Sequence, residues 1–210
     1  PGTGKTRTII ALISLLLLYA CKLLVCAPSN AAVDEIMRRL VRPPAEGGGV
    51  YDKRGALCAP NVLRLGPGFH NDLRPWTLAS ALASQNLDRD GAMSLQNSLI
   101  ERANIICCTL SIAGSSALVN SGAEFDVVII DEASQGVELS TLIPLRSKCK
   151  SMVLVGDPRQ LPPTVLSRLV LQMRYNVSLF QRLESLQYRM CLLATQYRMH
   201  PVISRFSSEE

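Results

Sequence analysis

The sequence predicts an α/β fold in which helices cover both faces of a mostly parallel sheet. Its 48% hydrophobic and 19% charged residues are typical of a globular domain with a substantial core. Short apolar runs without alternation indicate strands that are buried on both faces. Segments with helical spacing of apolar residues separate these runs, which favours a parallel sheet between layers of helices. Strands are predicted over 22–28, 104–109, 126–130 and 151–156.

The first two predicted elements are a helix over 6–20 and the strand over 22–28. Together they form an apolar run from Ile9 to Ala27, for which a membrane-spanning helix of about 20 residues is the alternative. Lys22 interrupts this run where a turn would lie, and Pro28 ends it. No signal-peptide pattern precedes the run. We therefore expect a helix followed by a buried strand, and no membrane association.

Two further helices are predicted over 31–41 and 136–145, and a less regular segment lies between them. Residues 42–102 begin with a Pro- and Gly-rich stretch, which indicates a loop. Within this segment a strand is predicted over 61–66 and a short helix over 78–87. We interpret 42–102 as an insertion into the sheet. The helix over 31–41 has an apolar stripe of Val33, Ile36, Met37, Leu40 and Val41.

The cysteine pattern and the net charge bear on the cellular compartment, on structural zinc and on the kind of partner. None of the seven cysteines forms a C-x-x-C pair, and there are only two histidines. This pattern favours a reducing, intracellular compartment, in the nucleus or the cytoplasm, and no structural zinc within the segment. The net charge of +5 is compatible with a polyanionic partner and equally with an ordinary solvated surface.

The opening PGTGKT resembles the end of a phosphate-binding loop, G-x-x-x-x-G-K-[ST], without its first Gly. Gly2, Thr3 and Gly4 would turn backbone amides toward phosphate oxygens. Lys5 would reach the β- and γ-phosphates, and Thr6 would place its hydroxyl on Mg²⁺. The alternative is an ordinary Gly-rich turn with an exposed lysine.

Three downstream stretches carry polar residues at the ends of buried runs. In FDVVIIDEASQ, Asp131 can hold Mg²⁺ and Glu132 can act as general base toward water. In VLVGDPRQLPPTV, the amide of Gln160 can contact a γ-phosphate or its water. In LLATQYRMHP, Arg198 suits a phosphate and Tyr197 can stack on a base. Taken singly, each stretch could also be a solvated turn or strand exit.

Taken together, these stretches resemble the motifs of superfamily 1 helicases, in the branch that contains senataxin and the regulator of nonsense transcripts. PGTGKT, APSNAAVDE (27–35), DEASQ, GDPRQLPP and QYRMHP come in the family order and span nearly the whole chain. The resemblance implies a RecA-like P-loop NTPase domain that uses ATP and Mg²⁺. It also implies movement along single-stranded RNA or DNA, in the 5′ to 3′ direction.

The resemblance also implies residue roles. Gly2 to Thr6 and Tyr197 would bind the nucleotide, with Thr6 and Asp131 on Mg²⁺. The catalytic set would be Lys5, Asp131, Glu132, Gln160 and Arg198. Residues of two further motifs would line the path of the strand, namely Pro28, Ser29, Asn30, Thr109 and Ser111. For Ser29 and Asn30, capping of the helix over 31–41 is an alternative that is compatible with strand binding.

The family pattern also leads to expectations about domains. Residues 1–190 would form the first RecA-like domain, and 191–210 the junction and the start of a truncated second RecA-like domain, the rest of which this chain is expected to lack. Residues 42–102 are too few for stalk helices and a full β-barrel, so a reduced insertion or none is expected. A chain of this extent is not expected to unwind a duplex by itself. The alternatives are another P-loop ATPase or nucleotide switch, and a non-catalytic nucleic-acid-binding fragment.

Overall fold

The computed structural model of the chain describes residues 2–43, 48–85 and 87–200, and a five-stranded parallel sheet forms its centre. The strands are β1 (Leu23–Ala27), β2 (Val50–Tyr51), β3 (Leu57–Cys58), β4 (Val62–Arg64), β5 (Ile105–Thr109), β6 (Phe125–Ile130) and β7 (Cys149–Leu154). The order across the main sheet is β4-β5-β1-β6-β7, and every adjacent pair is parallel. β2 and β3 form a separate antiparallel hairpin. The predicted α/β class with a parallel sheet is confirmed.

Helices cover both faces of this sheet. They are α1 (Lys5–Leu18), α2 (Asn30–Val41), α3 (Leu78–Ala83), α4 (Arg89–Arg102), α5 (Leu110–Ala113), α6 (Ser116–Asn120), α7 (Glu138–Leu142), α8 (Arg168–Gln172) and α9 (Leu179–Ser185). Short 3₁₀ helices occupy Asn71–Trp76, Ala133–Gln135 and Ile143–Arg146. The four predicted strands and the helices over 6–20 and 31–41 are confirmed to within a few residues. The helix predicted over 136–145 is α7 continued by the last 3₁₀ helix.

The central strand β1 shows why its sequence is continuously apolar. All five of its residues are buried. Leu23 and Val25 pack with α1 and α2 on one face, whereas Leu24 and Cys26 pack with α4, α5 and α6 on the other. Because successive side chains point to opposite faces, a strand between two helix layers needs an apolar residue at every position.

The apolar run after the Gly-rich opening is divided as predicted. α1 ends at Leu18, and β1 begins at Leu23 after a turn in which Ala20 has a left-handed backbone (φ 54°). Within the described ranges, no helix has the length and apolarity that a membrane span requires. The run is therefore a helix, a turn and a strand.

The segment 42–102 differs from the predicted insertion in one respect. Its strand β4 pairs with β5 and forms the edge of the main sheet, so this part of the segment belongs to the sheet itself. The strand predicted over 61–66 and the short helix predicted over 78–87 are confirmed as β4 and α3. The pairing of β4 with the main sheet was not predicted, because so short a strand carries no signal of its partner. α4 was not predicted either, since only Ile100 of its fourteen residues is buried and its apolar pattern is weak. Residues 44–47 and 86 lie outside the described ranges.

Candidate functional site

The carboxyl ends of the five parallel strands meet at one edge of the sheet, and the Gly-rich opening lies there. Gly2 and Gly4 have φ angles of 80° and 83°, in the left-handed region that favours glycine. Gly4 precedes α1 and has no side chain to cap it, and in the part of the chain that the structure describes no capping hydrogen bond reaches the first amides of the helix. Amides at a helix start, together with the helix dipole, suit an anion such as a phosphate.

Asp131 follows β6 at this edge and is a buried carboxylic acid. Its backbone amide donates to the Cys26 carbonyl (2.9 Å), which continues the pairing of β6 with β1. Burial raises the pKa of Asp131 to about 6. The Glu132 amide, which donates to Asp131 Oδ1 at 2.9 Å, and the positive charge of Lys5 act in the opposite direction. Lys5 therefore lies close enough to Asp131 for their charges to interact.

Glu132 has a left-handed backbone, with φ 49° and ψ 38°. This conformation is uncommon for a residue other than glycine and costs conformational energy, and such residues concentrate at functional sites. The Gln135 side-chain Nε2 donates to Glu132 Oε2 at 3.3 Å and so restrains the carboxylate.

The loops after β6 and β7 are joined by short contacts. The Ala133 amide donates to the Val155 carbonyl at 2.8 Å, and the Asp157 amide donates to Ser134 Oγ at 3.2 Å. Gly156 leaves no room for a side chain, since a Cβ there would lie 2.9 Å from the Ser134 backbone nitrogen. The two loops therefore form one unit.

Asp157 and Gln160 lie at the same edge, in the loop after β7. The Gln160 side-chain amide donates to Asp157 Oδ2, and the Arg159 backbone amide donates to Asp157 Oδ1 at 3.1 Å. Partial burial acts to raise the pKa of Asp157. These hydrogen bonds and the charge of Lys5 outweigh that effect and hold the pKa below its usual value. Lys5 thus interacts with carboxylates that follow two different strands.

The described part of QYRMHP, residues 196–200, lies against Gly2 and Gly4 of the opening. The Tyr197 amide donates to the Gly2 carbonyl at 2.9 Å. A Cβ on Gly2 would lie 2.6 Å from Arg198 Cβ, and one on Gly4 would lie 4.0 Å from the Tyr197 ring. The side chain of Gln196 accepts from the amides of Arg198 and Met199, which holds this turn in shape. The Tyr197 side chain is 78% exposed beside the opening.

The five residues predicted to line a strand path lie at the ends of β1 and β5. Ser29 Oγ accepts from the Ala32 amide at 3.2 Å and caps α2, as the capping alternative anticipated. Thr109 ends β5 and precedes α5. Pro28 and Ser111 line an open groove of about 680 Å³, whose other walls include 135–137 and the Pro-rich 161–165.

Asn30, the remaining member of that set, is bound to a side chain that the sequence did not single out. Its Oδ1 accepts from Arg64 Nη2 at 2.7 Å. Arg64 also pairs with Asp34, with Nε 3.2 Å from Oδ1, and both side chains are buried. Ser134 was likewise not singled out, although it lies within DEASQ. An arginine at a strand end in VLRLG is the signal that could have drawn attention to the buried pair.

The fold and this edge define a class of protein. A parallel α/β sheet, a Gly-rich loop leading into a helix, and a buried aspartate after a neighbouring strand are the features of a RecA-like P-loop NTPase domain. The AAA domain family matches residues 1–93 and 81–168, and a second AAA domain family matches 175–210. The chain belongs to this AAA domain family, among the superfamily 1 helicases of the senataxin and regulator-of-nonsense-transcripts branch. Membership implies nucleotide binding.

Individual relatives agree with this assignment. The chain is 40% identical over 202 residues to the probable helicase MAGATAMA 3 of Arabidopsis thaliana, covering 91% of this chain and 24% of the relative. It is 33% identical over 305 residues to the helicase sen1 of Schizosaccharomyces pombe, covering 100% of this chain and 18% of the relative. It is 36% identical over 226 residues to the regulator of nonsense transcripts 1 homolog of Drosophila melanogaster, covering 99% of this chain and 19% of the relative. The chain thus spans less than a quarter of each of these relatives.

Among solved structures, the helicase domain of Pyrococcus furiosus Hef aligns over 81% of this chain and 35% of its own, at 15% identity. The TM-score of 0.29 is too low for this likeness to bear on the fold.

Proposed function

We propose that this chain is the first motor domain of an ATP-dependent helicase or translocase that acts on single-stranded RNA or DNA. The observation that supports it best is the arrangement around Lys5. Its charge acts on Asp131 and Asp157, which follow two neighbouring strands, while Tyr197 is hydrogen-bonded to Gly2 in the same loop as Lys5. Stretches from both ends of the described chain thus meet at the Gly-rich opening, where the phosphates would bind.

The residues at this edge fit a nucleotide with Mg²⁺. Gly2, Thr3 and Gly4 would present backbone amides to the phosphates, and Lys5 would neutralise the β- and γ-phosphates. Thr6 and Asp131 supply the oxygen ligands that Mg²⁺ prefers. The raised pKa of Asp131 fits this role, because a cation beside it would offset the penalty that burial places on the carboxylate. When bound, Mg²⁺ supplies charge neutralisation at the phosphates.

The hydrolytic roles fall on residues around this loop. Glu132, held by Gln135, would take a proton from the attacking water as general base. Gln160, bonded to Asp157 at the same edge, would contact the γ-phosphate or the water. Arg198 would place its charge on the γ-phosphate, and the exposed ring of Tyr197 would stack near the adenine.

The strand would run over the neighbouring part of the same edge, past the ends of β1 and β5. Pro28, Ser29, Asn30, Thr109 and Ser111 offer amide, hydroxyl and backbone groups, which contact phosphate and sugar without reading the bases. Since the Ser29 hydroxyl already accepts from Ala32, it would act toward the strand as a donor. Movement would be 5′ to 3′, and a second RecA-like domain would complete the cleft.

The test compares Lys5→Ala with Lys53→Ala in the full-length protein. Lys53 is an exposed lysine in the β2–β3 hairpin and serves as the matched control. We expect Lys5→Ala to reduce ATP hydrolysis stimulated by single-stranded nucleic acid about a hundredfold or more, as for loss of a transition-state charge contact. Lys53→Ala should hydrolyse like wild type. Undiminished turnover in Lys5→Ala would refute the site.

ATP hydrolysis and ligand binding by the wild-type protein distinguish the proposed helicase function from the two alternatives, another P-loop ATPase or switch and a non-catalytic binding module. Wild-type hydrolysis that no single-stranded RNA or DNA stimulates would favour an ATPase or switch that acts on proteins. Absence of ATP binding together with retained nucleic-acid binding would favour a non-catalytic binding module.

A further inference from the structure

Arg64, at the end of β4, is a buried charged residue with a partner for each nitrogen of its guanidinium group. Its relative exposure is 1%. Nε donates to Asp34 Oδ1 at 3.2 Å, Nη2 donates to Asn30 Oδ1 at 2.7 Å, and Nη1 donates to the Leu65 carbonyl. Asp34 is itself 4% exposed. Arg64 therefore ties the end of β4 to the first turns of α2.

The network continues into the loop that follows β4, residues 66–70, here called the Gly66–His70 loop. The second oxygen of Asp34, Oδ2, accepts from the His70 backbone amide at 2.9 Å. A Cβ on Gly68 would lie 2.4 Å from Asn30 Nδ2, and one on Gly66 would lie 2.7 Å from Ile112 in α5. The loop is thus packed between α2 and α5, the helices that carry Asn30 and Ser111.

Arg64 also determines which way the Asn30 amide faces. A guanidinium group can only donate hydrogen bonds, so Asn30 must present its oxygen to Arg64. Its NH₂ group then lies on the other side, beside the exposed Gly68. Phosphate and sugar oxygens accept hydrogen bonds, so this orientation presents donors where a nucleic-acid strand would pass.

Stability alone is a poor reason for such a network. Burying an ion pair costs desolvation energy, and apolar residues of similar volume often serve as well. What a fully bonded buried network provides is one defined geometry. Here the geometry that it defines is that of Asn30 and of the Gly66–His70 loop.

We propose that Arg64 is a positioning residue for nucleic-acid binding, because it orients the Asn30 amide and holds the ends of β1, β4 and β5 as one strand-binding edge. This inference rests on the proposed function. Arg64 itself is buried and does not touch the strand.

A pair of glycine substitutions tests the placement of Asn30 without altering the buried pair. Gly68→Ala and Gly55→Ala both introduce a methyl group at φ +77°, so the backbone strain is matched. At Gly68 the methyl group meets the Asn30 amide, whereas at Gly55 nothing lies within 4 Å. In the full-length protein, we expect Gly68→Ala to weaken binding of oligo(U) or oligo(dT) about tenfold relative to Gly55→Ala, as for loss of one or two hydrogen bonds.

Arg64→Lys tests the arginine itself, since lysine keeps the charge but has one nitrogen in place of the three that bond Asp34, Asn30 and Leu65. We expect the strand concentration for half-maximal stimulation to rise about tenfold, with the ATP KM and unstimulated hydrolysis within about twofold of wild type. If Arg64 acted on stability alone, Arg64→Lys would lower the melting temperature, and the strand concentration for half-maximal stimulation would stay close to that of wild type.

The outcomes are separable. If wild type and Gly55→Ala respond to the strand and Gly68→Ala and Arg64→Lys bind it equally well, the positioning role of Arg64 is wrong while the proposed function stands. If wild type binds no strand, the proposed function fails and this inference fails with it. Should Arg64→Lys not fold, the comparison of Gly68→Ala with Gly55→Ala still decides.

Discussion

Replacing Asp131 by Asn should stabilise the ligand-free protein even though Asp131 is a proposed catalytic residue. Asp131 is 5% exposed, and burial raises its pKa from 3.8 to about 6. This difference corresponds to about 3 kcal/mol of unfavourable free energy for the ionised group in the folded protein at neutral pH. Asn has a similar shape, retains an oxygen that can accept from the Glu132 amide, and carries no charge. We therefore expect Asp131→Asn to raise the free energy of unfolding by about 2–3 kcal/mol near pH 7.5.

The pH dependence of this effect has a definite sign. Because the folded pKa lies above the unfolded one, the folded protein binds the proton more tightly between about pH 4 and pH 6. Wild-type stability from this group therefore falls as the pH rises through that window, and the full penalty is present above it. The advantage of Asp131→Asn should be largest above about pH 6 and vanish below about pH 4.

The assay is urea unfolding of residues 1–210 in EDTA without nucleotide, at several pH values across this window. Asp126→Asn is the matched control, since Asp126 lies at the other end of β6. Hydrogen bonds from Lys150 and the Lys22 amide hold the pKa of Asp126 below its usual value. Its replacement should therefore destabilise the protein at neutral pH, and less so as the pH falls. If Asp131→Asn were no more stable than wild type at neutral pH, burial of the Asp131 carboxylate would carry no free-energy penalty, contrary to this prediction.

Two further predictions concern the loops around Asp131. Glu132→Gln should bind ATP like wild type but slow its hydrolysis about a hundredfold or more, the usual contribution of a general base; single-turnover hydrolysis measures this, and normal turnover would remove Glu132 from that role. Gly156→Ala should lower the free energy of unfolding by about 1–3 kcal/mol, because its Cβ would lie 2.9 Å from the Ser134 backbone nitrogen. An unchanged free energy of unfolding in urea would contradict the close packing of Gly156 against Ser134.

The stabilising substitution of a proposed catalytic residue has a plain physical meaning. A buried carboxylate whose desolvation outweighs its favourable contacts costs free energy in the ligand-free protein, and a ligand can recover that cost on binding. The same feature that weakens the ligand-free protein would therefore favour the binding of a cation.

Much of the fold could be predicted because its signals are local. Strand β1 is apolar and buried throughout, β5 and β6 are so at all but one position, β7 ends in an apolar run over 152–154, and α2 has a clear apolar stripe. The Gly-rich opening could be recognised because its backbone adopts left-handed conformations that favour glycine. Features without such signals were missed, namely the pairing of β4 with the main sheet, although its strand was predicted over 61–66, and the helix α4. β4 has three residues, and α4 buries only Ile100.

The identities of the candidate site residues also came from local stretches, but their partners did not. Ser29 illustrates the difference: the sequence left helix capping and strand binding open, and only the geometry shows the cap on α2. The strand-binding role of Ser29 stays a prediction, since capping occupies one face of the hydroxyl and leaves its proton available.

By itself, the sequence determined the α/β class, the principal strands and helices, and the chemical groups offered at the sheet edge. Only the tertiary structure decided which of these groups meet. The contact of Tyr197 with Gly2 and the pairing of Arg64 with Asp34 and Asn30 depend on the strand order β4-β5-β1-β6-β7. That order follows from packing the whole chain into two apolar layers, so no short stretch of sequence contains it.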